Sequence, residues 1–341
     1  MTIEDIAVSE GIWGHPNLEN SDIVLKTEIR IFRNVEGFPF SHKLKKNEKK
    51  QLFGEIINTV SDLPRFKGAA IFDLNSIEQD EREILYERNI IKSKLPIDSS
   101  LILSSDLLNY VIIGNYNHIE CAGTVPGAGL YEAYKSSSEI ITELSVNYNF
   151  LYSNEFGYLS AFPGYSGCGM EVSTTVHLPG LIKSGKINEI TIELEKRGAG
   201  LRSSWIDDFY EIFNKYSIGM NEKELYLNSR DVIELIITAE KEAREMEYKR
   251  NKVFIEDKVW RSYSILTSAR LLSILEALEL LSNVRLGISL GIIRFLNIKQ
   301  VNLLLNYIQN YHLKRRFKFT DIKNIDEVRA SFLRDYLKEV I

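Results

Sequence analysis

The chain has 341 residues, 44% of them hydrophobic and 26% charged, with a formal net charge of −5. That length supports one large or two moderate domains with a sizeable core, and that charge gives no reason to expect a nucleic-acid partner. No apolar run approaches the roughly 20 residues of a bilayer span, two cysteines make no disulfide framework, and the acidic start Met1-Thr-Ile-Glu-Asp5 lacks a signal-peptide core, so no membrane association and a reducing, cytoplasmic location are expected.

Residues 22–33 are β-branched and partly alternating, which predicts a strand. Helices are expected over 47–62 and 76–93, with a short apolar strand, Gly68-Ala-Ala-Ile-Phe-Asp73, between them. Strands fit 99–104 and 109–121, and a helix with a polar Ser- and Thr-rich face fits 129–148. Further strands fit 171–178, 188–195 and 207–217. After Met220 strand signals stop and glycine and proline nearly vanish. Asn221 and Glu224 have the spacing of a capping box, opening a helix that reaches about Arg250. Helices then fit 256–283, 284–294, 298–309 and 325–339, with Asp326 in the first turn of the last. The pattern divides the chain into a mixed part, 1–250, and an all-helical part, 251–341, packed together without a low-complexity linker.

The most specific stretch is Tyr158-Leu-Ser-Ala-Phe-Pro-Gly-Tyr-Ser-Gly-Cys-Gly-Met-Glu-Val-Ser-Thr-Thr-Val-His-Leu-Pro179. It resembles the signature of ATP:guanido phosphotransferases, Tyr-Leu-Thr-x-Cys-Pro-x-Asn-x-Gly-Thr-Gly-Leu-Arg-Ala, through Tyr158, Leu159, Pro163, Gly167, Gly169, Leu178 and Pro179. Three more segments resemble the bacterial protein-arginine kinases of that family. They are Ser21-Asp-Ile-Val-Leu-Lys-Thr-Glu-Ile-Arg-Ile-Phe-Arg-Asn34, the run Leu85-Tyr-Glu-Arg-Asn-Ile-Ile91, and a tail region from Asp257 to Ile293. The resemblance implies an α+β fold: an antiparallel sheet flanked by helices, then an all-helical C-terminal domain that pairs two subunits. It also implies ATP and Mg²⁺ as cofactors, protein arginines as substrate, a zinc-binding activator protein, and clients marked for a Clp-type protease.

The residues that carry the family's chemistry are altered. Phosphoryl transfer depends on positioning and charge neutralisation, which the family achieves with arginines around the triphosphate. The matching positions here are Glu28, Arg30, Glu120 and Glu171, with Arg197 as a further retained arginine. On the guanidine side, Tyr116 and Leu201 stand where the family has acids, and Phe162 where it has a reactive cysteine. None of the three can draw positive character from a guanidinium. The family's phosphoarginine pocket, an Arg-Asp pair before the last helix, becomes Ile325 and Asp326, and an aspartate alone cannot clamp a phosphate. The resemblance therefore implies a degenerate kinase: an inactive pseudokinase serving as a binding or regulatory module, with no cofactor or metal expected. A divergent but active protein-arginine kinase is the alternative. The implied partners are a second copy of the chain, an activator protein, an intact kinase paralogue, a Clp chaperone and an arginine-containing client. The old site is expected to present a net acidic face that receives a basic segment.

Other features carry less. Gly164-Tyr-Ser-Gly-Cys-Gly169 lacks the Lys-Ser/Thr of a P-loop. Cys168 reads as an incidental thiol, His118 and His177 as structural histidines, and 123–129 as a strand-to-helix connection. Lys314-Arg315-Arg316 reads as a solvated loop or, less readily, a nucleic-acid patch.

Overall fold

The computed structural model describes residues 1–16, 18–92, 99–204, 206, 208–318 and 324–339. The strands are β1 (Val24–Arg33), β2 (Ala70–Asp73), β3 (Ser100–Leu103), β4 (Asn109–Ile113), β5 (Ile119–Pro126), β6 (Tyr152–Ser153), β7 (Gly157–Tyr158), β8 (Met170–His177), β9 (Ala199–Ser203) and β10 (Phe209–Asn214). Eight of them form one antiparallel sheet in the order β2-β3-β4-β5-β1-β8-β10-β9, and β6 and β7 make a separate hairpin.

The helices are α1 (Ile3–Val8), α2 (Lys46–Asp62), α3 (Gln79–Glu87), α4 (Leu130–Leu144), α5 (Pro179–Lys183), α6 (Ile187–Lys196), α7 (Glu222–Arg250), α8 (Lys252–Ser268), α9 (Ile274–Ser289), α10 (Ile298–Tyr307), α11 (Asn310–Arg316) and α12 (Ile325–Glu339). Helices α2, α4 and α7 cover one face of the sheet: Phe53, Ile56, Ile140, Leu144, Val232 and Ile236 pack in one core with Ile29, Ile31 and Val172. The opposite face is flanked by two smaller cores. One joins α1 and α3 to Leu101, Leu103 and Tyr110, and the other joins Trp13, Leu25 and Phe209 to the helical part. Between these flanks the central strands carry polar side chains at alternate positions.

The mixed and helical parts meet at Asn251, which separates α7 from α8. They are also tied by buried polar contacts. Arg285 donates to the carbonyl oxygens of Ser21 and Asp22 at 2.6 Å, and His177 shares a 2.9 Å hydrogen bond with Ser282. Among the described residues no helix is long and apolar enough to cross a membrane.

Several boundaries differ from expectation. Residues 109–121 form not one strand but a hairpin, because Gly114 takes a positive φ of 78° and the chain turns back before Ile119. The strand expected over 188–195 is helix α6: Ile190 and Leu194 are buried one turn apart, while Ile192 between them is 56% exposed. The helix expected over 256–283 breaks between Ser268 and Ile274, with the Ser273 side chain capping α9. The helix expected over 76–93 is the shorter α3; residue 93, like residue 207 of another expected strand, lies outside the described residues. Lys314-Arg315-Arg316 is not a loop. It is the last turn of α11, where Lys314 pairs with Asp80, Arg315 with Glu4 at 3.0 Å, and Arg316 stacks over Tyr307 and Phe332.

Candidate functional site

The site is built from alternate residues of three adjacent central strands. In β1 the positions Lys26, Glu28 and Arg30 share the face away from α2 and α4. Arg30 pairs across to Glu171 of β8, and Phe32, two residues on, pairs with Glu120 of β5. Side chains opposite or diagonal across antiparallel strands lie within reach of each other. Register alone therefore brings Glu28, Arg30, Glu120 and Glu171 together.

The Arg30 guanidinium holds the group. One terminal nitrogen donates to Glu120 Oε1 at 2.7 Å, the other to Glu171, and Nε lies 3.7 Å from Glu28 Oε1. Glu28, Glu120 and Glu171 are all buried. Lys92, just beyond α3, reaches in to Glu28 Oε1 at 2.9 Å, donates to Ser173 at 2.8 Å, and also contacts Glu211 of β10. Arg202 of β9 forks onto Glu211 from the rim, at 2.7 and 2.8 Å. Lys26 stands 3.7 Å from Glu28 Oε2.

The expectation of a net acidic face is thereby overturned. Glu28, Glu120, Glu171 and Glu211 are balanced by Lys26, Arg30, Lys92 and Arg202, so the cluster is formally neutral. Burial alone would raise the carboxyl of Glu28, but Lys92, Lys26 and Arg30 outweigh it and hold that carboxyl at about 2. Burial likewise pulls Arg30 down, and Glu171 and Glu120 more than reverse it, holding the guanidinium well above its ordinary value. Every acid of the cluster is engaged by a cation, while burial holds the Lys26 ammonium below its ordinary value, so no free acid is left to recruit a cation.

The remaining expected positions scatter. Tyr116 and Phe162 do meet, edge to face, with ring centroids 4.7 Å apart and both rings nearly half exposed. Leu201 is not with them: its register partner is Ile212, on the sheet face covered by α7, whereas its neighbour Arg202 joins the charge cluster. Arg197 lies outside the cluster, at the end of α6, paired with Glu193 at 3.3 Å. Ile325 packs on the helical core, and Asp326 is bound by Arg329 one turn later. Arg329 is fully buried, and its other donors go to the carbonyl oxygens of Leu272 and Ile308 and to Asn310, so this arginine offers no free fork to an anion.

The lesser candidates resolve in structural terms. His118 accepts the Val35 amide at Nδ1, 3.0 Å, and contacts the Pro39 carbonyl oxygen at Nε2, 2.9 Å, with burial lowering its pKa. His177 is buried between the two parts, and burial with the Arg285 and Arg244 charges holds it well below its ordinary range. Burial lifts the Cys168 thiol to about 11, which leaves it inert. Among the described residues, no group of three or more His, Cys, Asp and Glu side chains is placed to hold a metal ion.

Sequence reasoning missed Lys26, Lys92, Arg202, Glu211 and Arg329. The Lys-x-Glu-x-Arg alternation in β1 was a visible signal for Lys26, since a charge at every second position of an otherwise apolar strand marks one shared face. Lys92 and Arg202 arrive from loops and edges with no such signal.

The family model described as "ATP:guanido phosphotransferase, C-terminal catalytic domain" matches residues 52–243, and that of the "Protein-arginine kinase McsB C-terminal domain" matches 252–341. The protein-arginine kinase of Clostridium acetobutylicum is 31% identical over 338 residues, covering 96% of this chain and 99% of its own. That of Clostridium tetani is 32% identical over 340 residues, with the same coverage. Among solved structures, lombricine kinase superposes with a TM-score of 0.57 at 17% identity, covering 70% of each chain. The duplicated taurocyamine kinase of Schistosoma mansoni gives 0.57 at 20% identity, covering 68% of this chain and 35% of its own. At these identities the structural likeness speaks for the fold, while the sequence matches carry further: the chain belongs to the ATP:guanido phosphotransferase family, on its protein-arginine kinase branch.

Proposed function

We propose that this chain is a catalytically inactive protein-arginine kinase homologue that works as a binding and regulatory module in arginine phosphorylation or Clp-protease quality control. The observation that carries the reading is the Arg30 knot. A triphosphate laid on this sheet face would meet Glu28, Glu120 and Glu171, and the one central arginine is already engaged by all three. A phosphate charge about 4 Å from one carboxylate, at an effective dielectric of about 20, costs roughly 4 kcal/mol. Freeing Arg30 to bind it would leave buried carboxylates unpaired, a further cost. The residues present therefore do not fit ATP-Mg²⁺. On the guanidine side, Tyr116 and Phe162 offer an aromatic edge where an acid and a thiol would be needed.

The second reading is an active protein-arginine kinase with relocated groups. It is favoured by 31% identity to a protein-arginine kinase over nearly the whole chain. One experiment separates the two. Titration calorimetry with ATP-Mg²⁺ at millimolar concentration is expected to give no heat, and radiolabelled ATP no phosphoarginine on an arginine-rich protein. Binding tighter than about 100 μM, roughly −5.5 kcal/mol, or any phosphoarginine formed, would sink the pseudokinase reading.

For partners, the proposal is a homodimer through the helical part. An activator protein, an intact kinase paralogue, a Clp chaperone or an arginine-containing client would then dock on the paired module.

A further inference from the structure

A groove of about 690 Å³ runs between the β6–β7 hairpin and the start of α7, lined by residues of both and of the signature loop. No residue of the Arg30 knot lines it, so it stands apart from the degenerate site. Its walls are aromatic. Tyr152 is 58% and Phe156 47% exposed, and Tyr152 meets Tyr158 edge to face with centroids 5.2 Å apart. Its charges are of one sign: Glu155 and Glu222 line it, and no lysine or arginine does so among the described residues. The Glu155 carboxylate has no ion-pair partner among the described residues, and the Glu222 side chain is 37% exposed.

The structure already shows what this wall accepts. The Arg33 guanidinium lies 3.6 Å from the centroid of the Tyr158 ring, and its Nη2 is 3.4 Å from Glu222. One buried guanidinium is thus stacked on one aromatic of the groove and neutralised by one of its acids. Tyr152 and Phe156, both exposed, line the same groove with Glu155, so the same residue types, aromatic and acid, face solvent beside that contact. A planar guanidinium stacks on aromatic faces and forks onto a carboxylate, which a lysine ammonium does less well. We propose that this groove is a docking site for an arginine side chain presented by an extended segment of a partner protein, gripped by Tyr152 and Phe156 and paired with Glu155. It gives the module a place to hold an arginine-bearing protein that does not depend on the old catalytic face.

The test is binding of the capped tripeptide acetyl-Gly-Arg-Gly-amide to the full chain, followed by NMR or calorimetry, beside its citrulline counterpart. Citrulline keeps the shape and removes the charge. Saturable binding of the arginine peptide is expected, at least about tenfold weaker for citrulline and similarly weakened by Glu155→Gln or Phe156→Ala. Both substituted side chains are exposed, so the fold is kept. The proposal is overturned if no binding is detected at about 10 mM peptide, a range that still reports very weak complexes. It is equally overturned if citrulline binds as well as arginine, or if Glu155→Gln and Phe156→Ala leave binding unchanged.

Discussion

At the scale of single residues, Arg30 decides the character of the sheet face. A salt bridge buried this deeply adds little over a well-packed apolar alternative, but removing one member exposes the rest to a large penalty. Arg30→Ala would leave Glu120 and Glu171 buried without their main cation, at a cost of about 3–5 kcal/mol near neutral pH. The pH dependence has a definite sign. The Glu28 carboxyl sits at about 2, below its unfolded value, so its stabilisation is present above the unfolded pKa and is lost as pH falls through the folded one. Without Arg30 one of the cations holding that carboxyl down is gone, and its protonation moves to higher pH. Urea unfolding at pH 7 and at pH 4 is therefore expected to show the penalty of Arg30→Ala shrinking on acidification, because protonated carboxyls no longer need a partner. A cost below about 1 kcal/mol at pH 7, the size of an exposed surface pair, would mean that the knot does not hold the face together.

At the scale of elements, legibility followed locality. Helix α7 was readable because its start is written in four consecutive residues: Asn221 accepts from the Glu224 amide at 2.9 Å, and Glu224 accepts from the Asn221 amide at 2.9 Å. Helix α6 was not, because Ile190, Ile192 and Leu194 satisfy a strand's alternation as well as a helix's spacing; only the tertiary partner shows that Ile192 faces solvent. The convergence of Glu28, Glu120 and Glu171 could be expected from the family pattern, whereas Lys92 and Glu211, which neutralise them, are set by long-range packing. Strand β5 feeding α4 carries a further constraint. A Cβ added at Gly123 would lie 2.6 Å from the Ala133 carbonyl oxygen and 2.9 Å from the Ser136 Cβ. Both belong to α4, so the helix must lift off the strand, on the sheet face opposite the knot. Gly123→Ala is expected to destabilise by about 1–3 kcal/mol, as overpacking does, and chemical denaturation measures it. A neutral result would show that α4 has slack against the sheet.

At the scale of the whole molecule, the helical part is fastened to the mixed part on one side and bare on another. Helix α11 grips α3 and α1: His312 bonds Glu87 at 2.7 Å and Arg88 at 3.0 Å, and Arg315 reaches Glu4. Among the described residues the outer stripe of α8 has no such cover. Val253, Phe254 and Trp260 are exposed on it, Leu271 is exposed in the turn that follows and Leu275 in the first turn of α9, and Phe295 is exposed beside Trp260, with ring centroids 6.2 Å apart. Large apolar side chains grouped in this way mark an interface rather than an ordinary surface. A second copy of the chain is the natural cover, since a two-fold contact places one such stripe against its own equivalent. The chain is expected to sediment as a dimer at micromolar concentration, and Leu271→Glu with Leu275→Glu is expected to shift it to monomer while leaving its circular dichroism unchanged, because neither side chain is part of the buried core. Weakening should exceed about tenfold, as burying even one uncompensated charge at the centre of an apolar contact costs more than 1.4 kcal/mol. A wild-type chain that runs as a clean monomer, or a double variant that still pairs, would place the interface elsewhere and leave the α8 stripe to a different partner.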